Sequence, residues 1–127
     1  MSQTKSLTVL AVDDSPENLE LIRAALEKQD VEILTETDPE TGFEVFQKVR
    51  PRVVLLDLVM PRVSGMELLE RIVSVDPGTD VILITSHYSP ESAVEAIQKG
   101  ARDYWTKPLD VEKLRSRIGG LIAEAGE

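Results

Sequence analysis

The sequence predicts an α/β fold, a parallel sheet covered on both faces by helices, and three observations carry that prediction. Five apolar runs, each too short for a helix and rich in aliphatic and β-branched residues, recur roughly every 22 to 28 residues. The segments between them have helical period, and a capping residue followed by proline, or a capping box, opens most of them. The connections are short, so successive strands are joined by right-handed crossovers and the sheet is doubly wound.

The first run, Leu7–Val12, leads to Ser15–Pro16, where serine caps a helix and proline takes its first position. That helix turns Leu19, Ile22, Ala25 and Leu26 to one side and Glu17, Glu20, Arg23, Glu27 and Lys28 to water. Val31–Leu34 is the second strand, and Asp38–Pro39 starts the helix after it. The third strand, Val53–Leu56, precedes Ser64 and Glu67, spaced as a capping box. Val81–Ile84 is the fourth; Ser89–Pro90 opens the next helix, and Gly100 is placed to close it in a left-handed conformation. Tyr104–Thr106 is the fifth, and the last helix runs from about Asp110 toward Glu124 with Leu114, Ile118, Leu121 and Ile122 inward. Gly119–Gly120 weakens that helix by about 1 kcal/mol per glycine relative to alanine, so its end is expected to fray.

With 127 residues, 42% hydrophobic and 29% charged, the composition is that of an ordinary globular domain. No linker, repeat or low-complexity stretch divides the chain, so residues 1–127 are expected to form one domain with its core from about 7 to 122. A longer parent protein, of which this is the N-terminal part, is compatible with that. The 23 acidic and 14 basic residues give a net charge of −9, which opposes binding to nucleic acid or to an anionic membrane surface, and no basic patch overrides it. Cysteine is absent, which removes disulfides, thiolate nucleophiles and cysteine zinc sites. The apolar runs fall far below the roughly 20 residues of a membrane span, and Met1–Lys5 is too polar for a signal peptide. The expected location is the cytoplasm.

In a doubly wound sheet the polar residues that matter sit past the carboxyl ends of the strands. Here the first strand ends in Asp13 and Asp14, the third in Asp57, the fourth in Thr85–Ser86 and the fifth in Lys107–Pro108. With the first and third strands as neighbours, three carboxylates, two hydroxyls and one ammonium share a rim. Carboxylates about 5 Å apart repel by roughly 3 kcal/mol per pair at an effective dielectric near 20, which calls for a cation or a raised pKa. Lys107 offsets one charge. The others suit Mg2+, a hard ion that binds one or two carboxylates and keeps water and phosphate oxygens as its other ligands. Zinc is disfavoured, because His87 is the single histidine. A carboxylate beside such an ion and a lysine is set up to attack a phosphoryl group. Asp57, alone at its strand end, is the best candidate, with Asp13 and Asp14 paired as a metal clamp.

These pieces resemble the receiver domain of two-component response regulators over nearly the whole chain, from about Leu7 to Ile122. The matching motifs are Val12-Asp13-Asp14-Ser15, Leu56-Asp57-Leu58-Val59-Met60-Pro61 with Gly65, Ile84-Thr85-Ser86, and Gly100-Ala101-Arg102-Asp103-Tyr104-Trp105-Thr106-Lys107-Pro108. The resemblance implies a flavodoxin-like sheet of five parallel strands in the order 2-1-3-4-5 with five helices. It implies that Asp57 accepts a phosphoryl group from a phosphohistidine, on a sensor histidine kinase or a histidine phosphotransfer protein. Asp14, Asp57 and the backbone carbonyl of Val59 would bind Mg2+ directly, and Asp13 largely through water. Lys107 would pair with Asp57 and then with the phosphate, next to a cis peptide before Pro108. Thr85 would turn its hydroxyl to a phosphate oxygen, and Tyr104 would move into the space Thr85 leaves. The surface of the fourth helix, fifth strand and fifth helix would then serve a homodimer or an effector domain, with no direct contact to nucleic acid or membrane.

Taken singly, the same residues have plainer readings. Asp13 and Asp14 read as helix caps, Asp57 as a turn residue before Pro61, and Thr85 and, more so, Ser86 as local backbone partners. Their joint occurrence with Lys107–Pro108 favours the phosphoacceptor site. Trp105 reads as core under the last helix, with Tyr104 on the opposite face. His87, two residues past Thr85, reads as a solvated loop residue or a catalytic one. The rival function is a Mg2+-dependent phosphohydrolase of haloacid-dehalogenase type, which also passes through an aspartyl-phosphate. Its second aspartate, two residues after the nucleophile, is replaced here by Val59. A third reading, an interaction module of receiver shape that is never phosphorylated, is opposed by the intact acidic set.

Overall fold

Side-chain alternation along the strands decides the architecture. In β1 (Leu7–Val12), β3 (Val53–Asp57) and β4 (Asp80–Thr85) every hydrophobic residue is buried, whichever face it points to. Strands apolar on both faces need cover on both. Val9, Ala11, Val53, Leu55, Ile82 and Ile84 accordingly pack under α1 (Pro16–Leu26) and α5 (Val111–Ala125). Leu10, Val12, Val54, Leu56, Val81 and Leu83 pack under α2 (Pro39–Val49), α3 (Gly65–Val75) and α4 (Pro90–Gln98). Two strands with fewer buried residues, β2 (Val31–Glu36) and β5 (Asp103–Thr106), form the edges. The structure, a computed structural model, describes residues 7–125, and the reading of Met1–Lys5 falls on residues outside that range.

All strand pairs are parallel, in the order β2-β1-β3-β4-β5. The sheet is therefore the flavodoxin-like one expected, and its strand order reverses between β1 and β3, where such sheets place their sites. Ser15, Asp38, Ser64 and Ser89 each cap a helix by accepting the backbone N–H three residues on. The box at Ser64 is only half used: Glu67 turns its carboxylate forward to Arg71 Nη2 at 2.8 Å. Gly100 has φ +107°, and Trp105 is buried in the core beneath α5 with Tyr104 on the other face.

One strand boundary is corrected. β2 continues past Leu34 to Glu36, because an edge strand extends by backbone pairing with β1 alone and needs no apolar residue at its outer end. The last helix runs unbroken through Gly119–Gly120 to Ala125, with Leu114, Ile118 and Leu121 buried along it and Ile122 half-buried. A Cβ on either glycine would meet nothing within 4 Å. Gly119→Ala and Gly120→Ala are therefore expected to stabilise the protein by about 1 kcal/mol each, through helix propensity alone. Urea unfolding checks this, and a lowered midpoint would contradict it.

Candidate functional site

Sheet register places the acids. Val12 lies opposite Leu56 across β1 and β3, so Asp13, the next residue, arrives beside Asp57. Asp13, Asp14 and Asp57 each offer an oxygen, and these lie within 4.8 Å of one another. Asp13 and Asp57 are 5% and 7% exposed, whereas Asp14 faces solvent. From the end of β5, Lys107 reaches both buried acids, with Nζ 3.0 Å from Asp13 Oδ2 and 3.5 Å from Asp57 Oδ2. The expected pairing with Asp57 is thus the longer of two contacts, since a single cation between two anions is shared by both. The Lys107–Pro108 peptide is cis, and the Lys107 N–H donates to the Thr85 carbonyl at 2.7 Å, tying the ends of β5 and β4 together.

Around this core the remaining residues are arranged less tightly. Thr85 is fully buried, and its hydroxyl oxygen accepts the His87 N–H at 3.0 Å. The His87 and Ser86 side chains are exposed, with Nδ1 and Oγ 3.3 Å apart. Val59 donates its N–H to Asp57 Oδ1 at 3.4 Å, and the residue is 49% exposed. Half-buried Tyr104 is engaged by α4 and the loop before it: its hydroxyl lies 2.7 Å from Ser92 Oγ on the helix, and its ring meets Tyr88 of the loop edge-on at 5.7 Å. The structure therefore gathers Asp13, Asp14, Asp57 and Lys107, with Val59 beside them, and leaves Tyr104 tied to a helix.

Two contributors come from the helices. Gly65, at the start of α3, donates its N–H to the Leu58 carbonyl at 2.8 Å, and a Cβ there would stand 2.1 Å from the Asp57 carbonyl oxygen. Glycine is thus required for α3 to pin the loop after Asp57. Asn18, on the first turn of α1, donates Nδ2 to Asp13 Oδ2 at 3.3 Å. Sequence reading missed it. The available signal was its place five residues past Asp13, in a helix entered directly from that strand end.

Burial, and then the charge of Asp13, push the Asp57 carboxyl above its ordinary value near 3.8, against the opposite pull of Lys107 and the Val59 N–H. An acid whose pKa rises on folding loses folding stability as pH climbs from the unfolded value through the raised one. Without divalent ions, Asp57→Asn is therefore expected to be more stable than wild type at neutral pH, and the gap should close as pH falls below about 3.8. Thermal melts in chelator across that range check the sign; a less stable variant at neutral pH would contradict it.

Three carboxylates against one ammonium leave two negative charges uncompensated, and all the clustered ligand atoms are hard oxygens. That donor set fits an oxygen-preferring divalent cation such as Mg2+ and does not suit zinc. Among the described residues, no helix is long and apolar enough to cross a membrane.

Residues 9–119 match the family model of the response regulator receiver domain. The chain is 34% identical over 116 residues to the transcriptional regulatory protein TrcR of Mycobacterium tuberculosis, covering 91% of this chain and 45% of TrcR. It is 33% identical to the chemotaxis protein CheY of Listeria monocytogenes, covering 85% of this chain and 92% of CheY. The chain thus spans about half the length of TrcR and of TcrX from the same organism, 45% and 51% respectively. A CheY-like response regulator receiver domain from Methanospirillum hungatei superposes with a TM-score of 0.87 at 27% identity, covering 94% of this chain and 96% of that one. A receiver domain from Clostridium thermocellum gives 0.85 at 31% identity, covering 93% and 95%. With sequence and fold in agreement over nearly all the described residues, this protein belongs to the response regulator receiver domains, a family of signalling rather than catalytic domains.

Proposed function

We propose that this domain is a phosphorelay receiver in which Asp57 takes a phosphoryl group from a phosphohistidine on a sensor histidine kinase or a histidine phosphotransfer protein. The observation that supports it most is one lysine shared by two buried aspartates, with a third aspartate open to solvent at the same rim. A carboxylate oxygen of Asp57 forms the new bond to phosphorus, the P–N bond to the donor imidazole breaks, and that imidazole leaves with its electron pair. Asp14, Asp57 and the Val59 carbonyl would hold Mg2+, with Asp13 behind them; when bound, the ion supplies positive charge to the phosphoryl oxygens. Lys107 exchanges part of its carboxylate contact for the incoming phosphate. Thr85 turns its hydroxyl from the His87 N–H toward a phosphate oxygen, and Tyr104 leaves Ser92 for the space vacated. Phosphorylation adds roughly −1.5 to −2 charges at Asp57, enough to bias such a two-state element. The output is protein contact through α4, β5 and α5, where Val94 and Ile97 of α4 are exposed beside Tyr88 of the preceding loop, in a homodimer or with an effector domain of a longer parent protein. We place this activity in the cytoplasm, in a single domain spanning residues 1–127.

The test is intact-mass spectrometry after treatment with acetyl phosphate and Mg2+. Wild type is expected to gain one phosphate and Asp57→Asn none; equal labelling of both would overturn the assignment. The phosphohydrolase reading predicts steady multiple turnover of small phosphate esters, whereas a receiver gives a single slow labelling. The exposed aliphatic group of Val59 at the site mouth disfavours a positioned hydrolytic water. Val59→Asn supplies a donor there and is expected to speed loss of phosphate roughly tenfold, followed by the decay of the labelled mass. An unchanged decay would defeat that role for Val59.

A further inference from the structure

Asp13 has more donors than a bare countercharge needs. Oδ1 accepts the Ser15 N–H at 2.8 Å, while Oδ2 accepts from both Lys107 Nζ at 3.0 Å and Asn18 Nδ2 at 3.3 Å. The backbone N–H of Asn18 already serves the Ser15 cap at 3.4 Å, so its amide side chain has no capping duty. Asparagine is among the weaker helix formers, so propensity does not account for it on the first turn of α1. Its side chain instead lines a small cavity shared with Asp13, Asp57 and Lys107 and closed by Ile22 and Leu109.

We infer that Asn18 is a positioning residue for phosphoryl transfer: by donating to Asp13 Oδ2 it competes with Lys107 for that oxygen and keeps the ammonium within reach of Asp57. The inference rests on Asp57 being the phosphoacceptor. One cation serves two carboxylates here, so whatever satisfies Asp13 releases Lys107 toward the reacting oxygens. Without the amide, Lys107 is the remaining side-chain donor to Asp13 Oδ2 among the described residues and settles there, and the developing charge on the phosphoryl oxygens loses its fixed partner. An aspartate at position 18 holds Lys107 away more strongly still, while adding an oxygen ligand that favours a nearby cation.

The experiment follows phosphorylation rate against acetyl phosphate concentration for wild type, Asn18→Leu, Asn18→Gln and Asn18→Asp, with Mg2+ binding measured separately by calorimetry on the metal alone. Asn18→Leu is expected to lower the maximal rate about tenfold, the loss that goes with one hydrogen bond to a charged group. Asn18→Gln, which keeps the amide, recovers part of it. Asn18→Asp lowers the rate further while leaving Mg2+ affinity equal or tighter. A merely structural asparagine would instead move rate, metal affinity and melting temperature together. A maximal rate in Asn18→Leu equal to wild type, or a parallel loss of rate and Mg2+ affinity in Asn18→Asp, overturns the inference while labelled wild type leaves the phosphoacceptor reading standing. Wild type that takes no phosphate at Asp57 overturns that reading, and this one with it.

Discussion

Lys107→Ala is expected to slow phosphorylation about 10²-fold or more, the usual cost of removing a fixed positive or donor group from a site where negative charge develops. The same substitution strips the one lysine contact found among the described residues from two acids that are 5% and 7% exposed. Breaking one side of a buried ion pair typically costs about 3 kcal/mol, because the partner charge stays behind. The metal-free variant should therefore unfold at distinctly lower urea concentration than wild type. Added Mg2+ should return much of that loss, since a ligand that binds only the folded state stabilises it by mass action and the vacated rim is more negative than before. Urea melts with chelator and with Mg2+, alongside the labelling rate, separate the two effects. A variant that labels at the wild-type rate would remove Lys107 from the mechanism.

The other large effect falls on a residue that carries no charge. Gly65→Ala puts a methyl carbon 2.1 Å from the Asp57 carbonyl oxygen, and the neighbouring Leu58 Cα is 2.8 Å away. Backbone cannot swing aside as a flexible side chain does, so α3 or the loop after Asp57 must move. Overpacking of this kind costs roughly 2–3 kcal/mol, and the displaced loop takes the Asp57 carboxylate and the Val59 N–H with it. We expect a lowered melting temperature together with weaker Mg2+ binding. The same substitution at Gly119 or Gly120 is expected to act in the opposite direction, because there the new methyl enters open space. Normal stability in Gly65→Ala would contradict the close approach.

How far the sequence could be read depended on how local each determinant is. β1, β3 and β4 announce themselves, since burial on both faces leaves continuous apolar runs, and the caps at Ser15, Asp38 and Ser89 mark helix starts through contacts within three residues. The strand order came from the resemblance, because nothing along the chain says that β3 lies next to β1. The outer end of β2 cannot be read from apolar runs, because pairing with β1 acts from elsewhere in the fold. The acids and the lysine of the site were legible as residue types at strand ends. Lys107 leaning to Asp13, Asn18 donating to the same oxygen, and Tyr104 held by Ser92 were not, for each joins elements whose separation is set only in the folded chain.

Calorimetric titration of Mg2+ into the metal-free protein tests the shared acidic rim most directly. Wild type is expected to take up a single ion, with binding severely weakened in both Asp14→Asn and Asp57→Asn. A wild type that takes up no ion, or an Asp14→Asn, Asp57→Asn double variant that binds as tightly as wild type, would contradict it.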